Sequence, residues 1–448
     1  MSTLAQPLTP QRSPAPTSRV DSAVARLAGW LASMRGTGGY SGPVVHWWRD
    51  SFLSCGAAID WRYEGIIAGY VELAERTGDG GWLALARQAG DDVRAGQLDD
   101  GRFRRSSFEL NPNFGGTPHE SAVDLGLLIL ARALRGRGDD SWQTYRAAAE
   151  RNLRGWYLGS LWNDDERRFR DSPSPVSTFV PNKSATAIEA LCLLHELTGD
   201  DELLERYVRP TADAIVGERV AGSGSRLDGA ISQNLLGAAR VEKYLPYYQA
   251  RCATGLLAAY ERLGHDRYLE TALDAMRFVG RYQDGDGAFP MIVYPDGRVN
   301  RFPRWVAPTG DILRAADRLR EHGLDFPAAA TLDWLLAGQL PSGAFLTGRD
   351  FAGQATQKQS DHLDFRDALP AIGWCDKAFR YLASQVSAAP LAAVPVPDSM
   401  VPVTFRGRSG MLHETERVVE LVHRGRAVYR WRKGAPWAEV KAPWVVTA

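Results

Sequence analysis

Side chains suited to acid/base chemistry and to stacking recur at the starts of a regular series of apolar segments. The candidate catalytic residues are Asp60, His119, Glu120, Tyr248 and Asp376. The candidate substrate-binding residues are Trp47, Trp48, Trp61, Arg62, Lys183, Tyr247, Arg251, Arg304, Trp305 and Trp374. Aromatic faces stack on sugar rings or on a developing cation, while carboxylates exchange protons and bind hydroxyl groups. The pattern predicts a polar cavity for a hydroxyl-rich substrate.

The candidate catalytic residues also have structural interpretations. Asp60 stands where a helix-capping residue would stand. His119 and Glu120 follow Gly-Thr-Pro at a predicted helix start, where the helix dipole favours an acidic side chain. Asp376 and Lys377 can form a local surface ion pair. Asp60 and Glu120 are our candidates for the acid and base, since both stand at the starts of apolar segments.

Packing can explain the candidate binding residues as well. Trp47 and Trp48 can fill the core, and tyrosines such as Tyr247 often pack between helices. Glu189 lies within a wholly apolar segment, so it needs a buried partner or a place facing the cavity. Lys183 is the expected partner, either of Glu189 or of a substrate carboxylate.

A glycine-aspartate segment repeats along the chain. Its glycines are Gly78, Gly138, Gly199, Gly264 and, more loosely, Gly323, spaced about 60 to 65 residues apart. Each copy separates two helix-like segments. The glycine suits the left-handed position that ends one helix, and the aspartate that follows can cap the next. The repeat unit is therefore predicted to be a helical hairpin.

The apolar segments fall into two classes. Those with apolar residues on nearly all faces, as expected of helices surrounded by protein, are 57–76, 118–134, 184–197, 249–263, 309–320 and 371–384. The segments between them, such as 203–216 and 268–281, are amphipathic. These six inner and five outer helices leave one outer helix missing, and the segment 20–34 supplies it. The chain is predicted to close as a ring.

A second repeat ends the outer segments. Three of its copies run Gln97–Phe103, Gln283–Phe289 and Gln339–Phe345, with the pattern Gln-x-x-x-Gly-x-aromatic. A glutamine at a fixed distance from a turn glycine is typical of a side-chain anchor. We interpret this repeat as structural.

These repeats resemble the (α/α)6 toroid superfamily, which includes unsaturated glucuronyl hydrolases, other glycosidases, N-acylglucosamine 2-epimerases and the toroidal domains of polysaccharide lyases. The glutamine turns also resemble those of class II terpene cyclases and protein prenyltransferases. The resemblance covers residues 20–385 and implies an all-α toroid. It also implies a carbohydrate-active enzyme that hydrolyses a soluble, uronate-containing oligosaccharide by carboxylate acid/base catalysis, with a substrate carboxylate received by Arg62, Lys183, Arg251 or Arg304.

Three alternatives stay open. In a lyase or epimerase, His119, Tyr247 or Tyr248 would move the proton next to the carboxylate. In an isoprenoid enzyme the cavity would be almost wholly apolar, and the acidic cluster of a terpene cyclase has only Asp99 and Asp100 as a counterpart, within a structural turn. In a carbohydrate-binding protein there would be no turnover. Fold alone does not choose between them.

The chain ends are predicted to differ from the ring. Residues 1–19 are rich in Pro, Ser and Thr and are expected to be a disordered leader. Residues 386–402 form a Pro-rich linker, and 403–448 a small β appendage. Its expected strands are 403–405, 418–422, 427–431 and 437–440.

Composition limits the partners and cofactors. Lys plus Arg and Asp plus Glu each total 53, so no overall basic field favours nucleic acid or membranes. No apolar run is long enough to span a bilayer, and we expect a cytoplasmic protein. Free buried thiols are expected at Cys55, Cys192, Cys252 and Cys375. The sequence has no zinc-ligand spacing, phosphate-binding loop or dinucleotide motif, so no metal or cofactor is expected. The oligomeric state stays open.

Overall fold

The predicted apolar segments form a closed inner ring of helices. The computed structural model describes residues 18–44, 53–55, 57, 59–103, 118–173, 176, 178–222, 224–387 and 390–435. The inner helices are α2 (Arg62–Thr77), α4 (Ser121–Arg135), α6 (Pro181–Thr198), α8 (Pro246–Leu263), α10 (Thr309–Arg320) and α13 (Ile372–Ser384). Each inner helix packs against the next, and α13 returns to α2. The ring closes as predicted.

An outer layer of helices surrounds this ring. The outer helices are α1 (Arg19–Met34), α3 (Gly80–Ala95), α5 (Trp142–Asn152), α7 (Arg209–Gly217), α9 (Asp266–Arg281) and α11 (Ala328–Ala337). A π-helical segment adjoins two of these helices: Leu153–Leu161 follows α5, and Leu203–Val208 precedes α7. Helix α1 packs against α13, and its Arg19 contacts Asp333 of α11 at 2.9 Å. The N-terminal helix therefore completes the outer layer.

The glycine-aspartate segments make the expected turns. Gly78, Gly199 and Gly264 end α2, α6 and α8 in the left-handed conformation, with φ of 70°, 72° and 68°. Each glycine N–H donates to the carbonyl four residues earlier, which satisfies one helix-terminal acceptor. Asp79 then accepts a 2.8 Å hydrogen bond from the Gly81 N–H and caps α3.

The glutamine turns join neighbouring hairpins. The Gln97 side chain donates to the Gly101 carbonyl of its own turn and to the Ala148 carbonyl of α5, both at 2.8 Å. Gln339 does the same with Gly343 and with Ala23 of α1. The structural interpretation of this repeat is confirmed, because one amide spans two successive outer helices.

Long connections lead from each outer helix to the next inner helix, so they lie at the N-terminal ends of the inner ring. They carry short antiparallel strands: β1 (Arg35–Gly36), β2 (Gly39–Tyr40), β3 (Gly42–Val44), β4 (Leu53–Cys55), β5 (Trp162–Asn163), β6 (Arg168–Phe169), β7 (Thr178–Phe179), β8 (Asn234–Leu236), β9 (Ala239–Val241), β10 (Ile292–Val293), β11 (Val299–Asn300), β12 (Arg304–Trp305) and β13 (Gly348–Arg349). A short helix, α12 (Phe365–Ala368), precedes α13. No helix in the described ranges has the length and apolar character to cross a membrane.

A four-stranded antiparallel sheet follows the ring. Its strands, in spatial order, are β14 (Ser399–Phe405), β15 (Arg408–Glu414), β16 (Val418–His423) and β17 (Arg426–Arg432). The sheet packs against α1. There the Trp30 indole N–H donates to Glu414 at 2.7 Å, and Glu414 forms an ion pair with the buried Lys433 at 2.8 Å. Strand β15 was not predicted, since its Arg, Ser, Gly and His residues weaken the apolar alternation. The segment 437–440 lies outside the described residues.

Candidate active site

Five aromatic side chains gather at the N-terminal ends of the inner helices. We call Trp61, Tyr247, Tyr248, Trp305 and Trp374 the aromatic cluster. The Trp374 ring centre lies 6.3 Å from that of Trp61, 5.8 Å from that of Tyr247 and 5.3 Å from that of Trp305. The rings of Tyr247 and Tyr248 are 5.8 Å apart. Tyr248, Trp305 and Trp374 are only partly buried, so ring surface remains available for stacking.

A buried ion cluster lies deeper in the ring. It consists of Glu64, Arg251, Asp311, Lys377 and Arg380, all fully or almost fully buried. Glu64 contacts Arg251 at 3.0 Å and Lys377 at 3.4 Å, and it also binds Arg380. Arg380 reaches Asp311 as well. Burial alone would raise the pKa of Glu64, but the three surrounding cations hold it well below its usual value.

Tyr247 connects the aromatic cluster to the ion cluster. Its hydroxyl donates to Asp311 at 3.1 Å, while its ring packs edge-on to Trp374. Burial, together with the Asp311 charge, raises the pKa of Tyr247 well above its usual value. Tyr247 therefore stays protonated near neutral pH and orients Asp311 rather than acting as a base.

Asp376 is a buried carboxyl group that follows closely on Trp374 of the aromatic cluster. It is fully buried, and its Oδ2 accepts a 2.9 Å hydrogen bond from Lys377. Its Oδ1 has no hydrogen-bond partner among the described residues. Burial raises the pKa of Asp376 to about 7, although the Lys377 ammonium lowers it. Asp376 lies two residues after Trp374, and its charge acts on Tyr247.

Asp60, unlike Asp376, has both carboxylate oxygens bound by an arginine, Arg62. Its carboxylate binds Arg62 through two side-chain contacts, at 2.6 and 2.7 Å, and accepts the Arg62 backbone N–H at 3.1 Å. Arg62 also donates to the Tyr40 carbonyl at 3.0 Å. These contacts support the structural interpretation of Asp60, because they tie the start of α2 to the outer connection.

Glu120 also lies at the N-terminal end of the inner ring, but away from the aromatic cluster. It is partly exposed in the 3₁₀ turn Pro118–Glu120, and it lines a small cavity of about 20 Å³ with Asn152 and Tyr157. Asp124, one turn further into α4, is buried and accepts a 2.8 Å hydrogen bond from Asn152. Burial raises the pKa of Asp124 well above its usual value. This cavity faces the outer helix rather than the aromatic cluster.

Each of the four cations proposed to receive a substrate carboxylate already has an acidic partner. Arg62 binds Asp60, and Arg251 binds Glu64. The other two contacts are Lys183 with Asp171, at 2.9 Å, and Arg304 with Asp286 and Asp350, at 2.6 and 3.4 Å.

Glu189 has partners other than the expected Lys183. It binds Thr254 and Arg314, each at 2.7 Å.

Solved structures with the same architecture identify the fold. A cellobiose 2-epimerase from Bacillus thermoamylovorans shares 12% identity, with 82% of this chain and 98% of that chain covered at a TM-score of 0.62. A D-mannose isomerase shares 13%, with 82% and 97% covered at 0.58. An unsaturated glucuronyl hydrolase from Bacillus sp. GL1 shares 16%, with 82% and 94% covered at 0.57. The chain is an (α/α)6 toroid. No family model and no curated protein matches its sequence.

Three of the candidate site residues named from the sequence lie wholly or partly outside the described residues. Trp47 and Trp48 lie outside the described residues, and so does the side chain of His119, whose backbone is in the turn before α4. Sequence analysis missed Arg380 and Arg314, which bind Glu64 and Glu189. The sequence did contain a signal for these two arginines. A charged residue inside an almost wholly apolar inner segment needs a buried partner.

The three cysteines whose side chains the structure describes do not contribute reactive groups to the site. Cys192, Cys252 and Cys375 are free and buried, and burial raises the pKa of each thiol. Such thiols stay protonated and unreactive. Across the described ranges, no group of three His, Cys, Asp or Glu side chains is arranged to hold a metal ion.

Proposed function

We propose that this toroid is a carbohydrate-processing enzyme whose substrate binds at the N-terminal ends of the inner helices. The observation that carries the proposal is the aromatic cluster beside the Asp376 carboxyl. Partly exposed rings supply stacking surface for a sugar. A buried carboxyl beneath them supplies a proton at neutral pH. The three proteins named above are a cellobiose 2-epimerase, a D-mannose isomerase and an unsaturated glucuronyl hydrolase, which supports the substrate class.

Asp376 is the proposed proton-transfer residue. Its pKa near 7 gives it both protonation states at physiological pH, as a general acid/base requires. Lys377 holds Oδ2 in place, and the buried Oδ1 has no hydrogen-bond partner among the described residues. Tyr247 and Asp311, joined by a hydrogen bond, form the buried base of the proposed site. Glu120, whose cavity faces the outer helix, and Asp60, which Arg62 binds, are not assigned to proton transfer.

The paired cations favour a neutral saccharide over a uronate. A substrate carboxylate would have to compete with Asp60, Glu64, Asp171 or Asp286 for its cation. For the buried Arg62 and Arg251 pairs, separating a charge from its partner costs about 3 to 5 kcal/mol. Neutral hydroxyl groups can bind without breaking any of these pairs. The uronate preference implied by the resemblance is therefore replaced in our proposal.

Product analysis tests this function. The purified full-length protein would be incubated with neutral disaccharides, an unsaturated uronyl disaccharide and a polyprenyl diphosphate, and the products followed by mass spectrometry and NMR. We expect hydrolysis of a neutral disaccharide at its glycosidic bond, with one water consumed for each bond cleaved. A product of unchanged mass would assign epimerisation or isomerisation instead. Conversion of the diphosphate, or binding of a sugar without conversion, would contradict the proposed function.

Trp374→Ala separates the stacking role from general stability. Trp374 contacts three other rings of the cluster, so its loss should raise KM about tenfold, the equivalent of roughly 1.4 kcal/mol. Trp142, which lies under Arg135 and Arg146 in the outer layer, provides the matched control. Trp142→Ala should leave KM close to the wild-type value. An equal rise in both variants would contradict the position proposed for the substrate.

A further inference from the structure

Two hairpin turns lie side by side at one end of the C-terminal sheet. They are residues 406–408, between β14 and β15, and residues 424–426, between β16 and β17, and both have the sequence Arg-Gly-Arg. Because the spatial order is β14-β15-β16-β17, the centres of the two turns are two strand spacings apart, about 10 Å. We call these residues the arginine tips.

The backbone of each tip does not account for the arginine at its first turn position. Each tip is a two-residue turn, with φ of 46° at Arg406 and 71° at Gly407, and of 49° at Arg424 and 74° at Gly425. Turns with two positive φ values favour Asn-Gly or Asp-Gly, because asparagine and aspartate adopt the left-handed conformation more readily than arginine. Turn formation therefore does not explain two arginines at these positions.

The arginine tips carry four positive charges and no negative charge. Their exposed arginines are Arg406, Arg408, Arg424 and Arg426. None of these side chains forms an ion pair or hydrogen bond with a described residue. The surrounding residues 399–435 contain seven arginines and one lysine but three glutamates. This end of the sheet thus has a local excess of positive charge, although the whole chain is neutral.

The glutamates of the sheet do not neutralise the tips. Glu414 and Glu416 lie at or beside the turn between β15 and β16, which is at the opposite end of the sheet. Glu420 binds Arg430 at 2.7 Å. These acids therefore leave the charge of the tips uncompensated.

The connection beside β14 adds one unpaired acid. The Thr404 N–H donates to the Leu363 carbonyl at 2.8 Å, which places this connection next to the first tip. Asp364 binds Arg366 at 2.7 Å. Asp361 is exposed and forms no ion pair with a described residue, and one acid offsets at most one of the four arginines. Among the described residues, an excess of at least three positive charges remains.

An open groove lies between the two tips. It occupies about 640 Å³ and is lined by Gly407, Arg408, Ser409, His423 and Arg424. His423 joins the two hairpins, because its Nδ1 lies 2.7 Å from the Ser409 carbonyl oxygen and its ring packs edge-on to Phe405 at 5.6 Å. The groove is therefore lined by an arginine from each tip, and His423 holds the tips together.

We propose that the arginine tips bind an anionic polysaccharide, whose carboxylate or sulfate groups pair with the guanidinium groups along the groove. Guanidinium groups bind such oxyanions through paired, charge-assisted hydrogen bonds. Successive anionic groups on one chain reach both tips at once, which strengthens binding beyond that of one pair. This surface lies outside the ring, so the inference is independent of the saccharide site and is tested by binding without turnover.

The tips lack the features of two other surfaces that bind polyanions. Single-stranded nucleic acid stacks on exposed aromatic rings, whereas Phe405, Tyr429 and Trp431 of these hairpins are at most 5% exposed. Docking on an anionic bilayer is strengthened by apolar side chains that enter the membrane, whereas the tips consist of arginine and glycine. An anionic polysaccharide requires neither feature.

Calorimetric titration tests the proposal on the full-length protein. The probes are heparin and polygalacturonate, which carry sulfate and carboxylate groups, and the uncharged dextran. At least one anionic polysaccharide should bind more than tenfold tighter than dextran at low salt, and added salt should weaken it by screening the charges. Absence of binding by both, or equal binding of dextran, would overturn the proposal. Tighter binding of oligothymidylate or of phosphatidylserine vesicles than of either polysaccharide would overturn the choice of partner.

A double substitution locates the binding. Arg406→Asn combined with Arg424→Asn removes one charge from each tip and introduces the residue that the turn favours, so the fold should be kept. It should weaken binding of the best polysaccharide by about tenfold. The matched control, Arg206→Gln combined with Arg267→Gln, removes two exposed charges from the outer layer and should bind like the wild type. Equal weakening in both double variants, or none in the first, would contradict this location.

Discussion

The two ends of the inner ring are built from the same six helices but carry different chemistry. At the N-terminal end, the partly exposed rings of Trp305 and Trp374 pack with the buried Trp61, and the buried Asp376 lies two residues after Trp374. At the C-terminal end, a cavity of about 360 Å³ is lined mainly by arginines and carboxylates, with Tyr381 as its aromatic residue. The first end carries the rings and the carboxyl group that we propose for stacking and proton transfer. The second end carries mainly ion pairs, without comparable stacking surface.

Helix dipoles explain part of this difference. Glu64, Asp124 and Asp311 lie in the first turns of their helices, while Arg132 and Arg262 lie in the last turns. These positions agree with the partial charges at helix ends. Arginine at the C-terminal end thus has a structural cause.

Two acids do not follow the dipole rule. Glu72 and Asp317 lie towards the helix ends where acids are disfavoured, and burial raises the pKa of each.

The largest expected effect comes from breaking the ion cluster between the two ends. Glu64→Gln leaves Arg251, Lys377 and Arg380 without their shared anion and should lower the free energy of unfolding by about 3 to 5 kcal/mol. Glu261→Gln breaks the half-exposed Arg318 pair at the C-terminal end and should cost at most about 1 kcal/mol. Urea unfolding measures both. Equal losses would show that the buried cluster is not the stronger element.

The close approach of α2 and α13 at the N-terminal end can be tested next. A Cβ at Gly65 would lie 2.3 Å from the Asp376 carbonyl oxygen and 2.5 Å from its Oδ2. Gly65→Ala should therefore destabilise the protein by about 2 kcal/mol. Gly80, in the turn that follows the other end of α2, has nothing within 4 Å of its Cβ position. Gly80→Ala should change stability by less than about 1 kcal/mol. Thermal unfolding that ranks the variants the other way would contradict the packing described.

The pH dependence of stability gives a smaller effect. Because burial raises the pKa of Asp376 to about 7, its folded form binds a proton that the unfolded form has released above about pH 4. Its contribution to stability is present at low pH and is lost as the pH rises through 7. Between pH 6 and 8 the loss is about 1.4 kcal/mol.

Asp376→Asn removes this loss. Its unfolding free energy relative to wild type should therefore rise by about 1.4 kcal/mol between pH 6 and pH 8. Asp367, whose pKa burial also raises to about 7, would keep some pH dependence in both proteins. Parallel curves for the two proteins would mean that Asp376 does not titrate in this range.

The sequence predicts the fold well because its repeats are local. Gly78, Gly199 and Gly264 mark helix ends through backbone conformation alone, and Gln97 and Gln339 anchor turns within a few residues. Such signals need no knowledge of distant contacts.

The site is less predictable because its chemistry depends on partners far apart in the chain. Asp60 and Asp376 each have a cation within two residues in the sequence, yet Arg62 binds both oxygens of Asp60, whereas Lys377 binds one oxygen of Asp376 and the other has no partner among the described residues. Glu64 meets Arg251 and Arg380 only once the ring has closed. Ion pairs between distant helices decide which charged side chains remain available to bind a ligand. The periodic pattern of the sequence does not reveal these pairs.

The catalytic role of Asp376 is tested most directly by kinetics on the saccharide that the product analysis identifies. We predict that Asp376→Asn lowers kcat/KM by about 10² to 10⁴, the usual contribution of a general acid/base. Asp201→Asn, which changes a carboxylate that is 87% exposed on the outer layer, should retain the wild-type kcat/KM. If Asp376→Asn were as active as the wild type on that saccharide, the N-terminal end would not be the site of proton transfer.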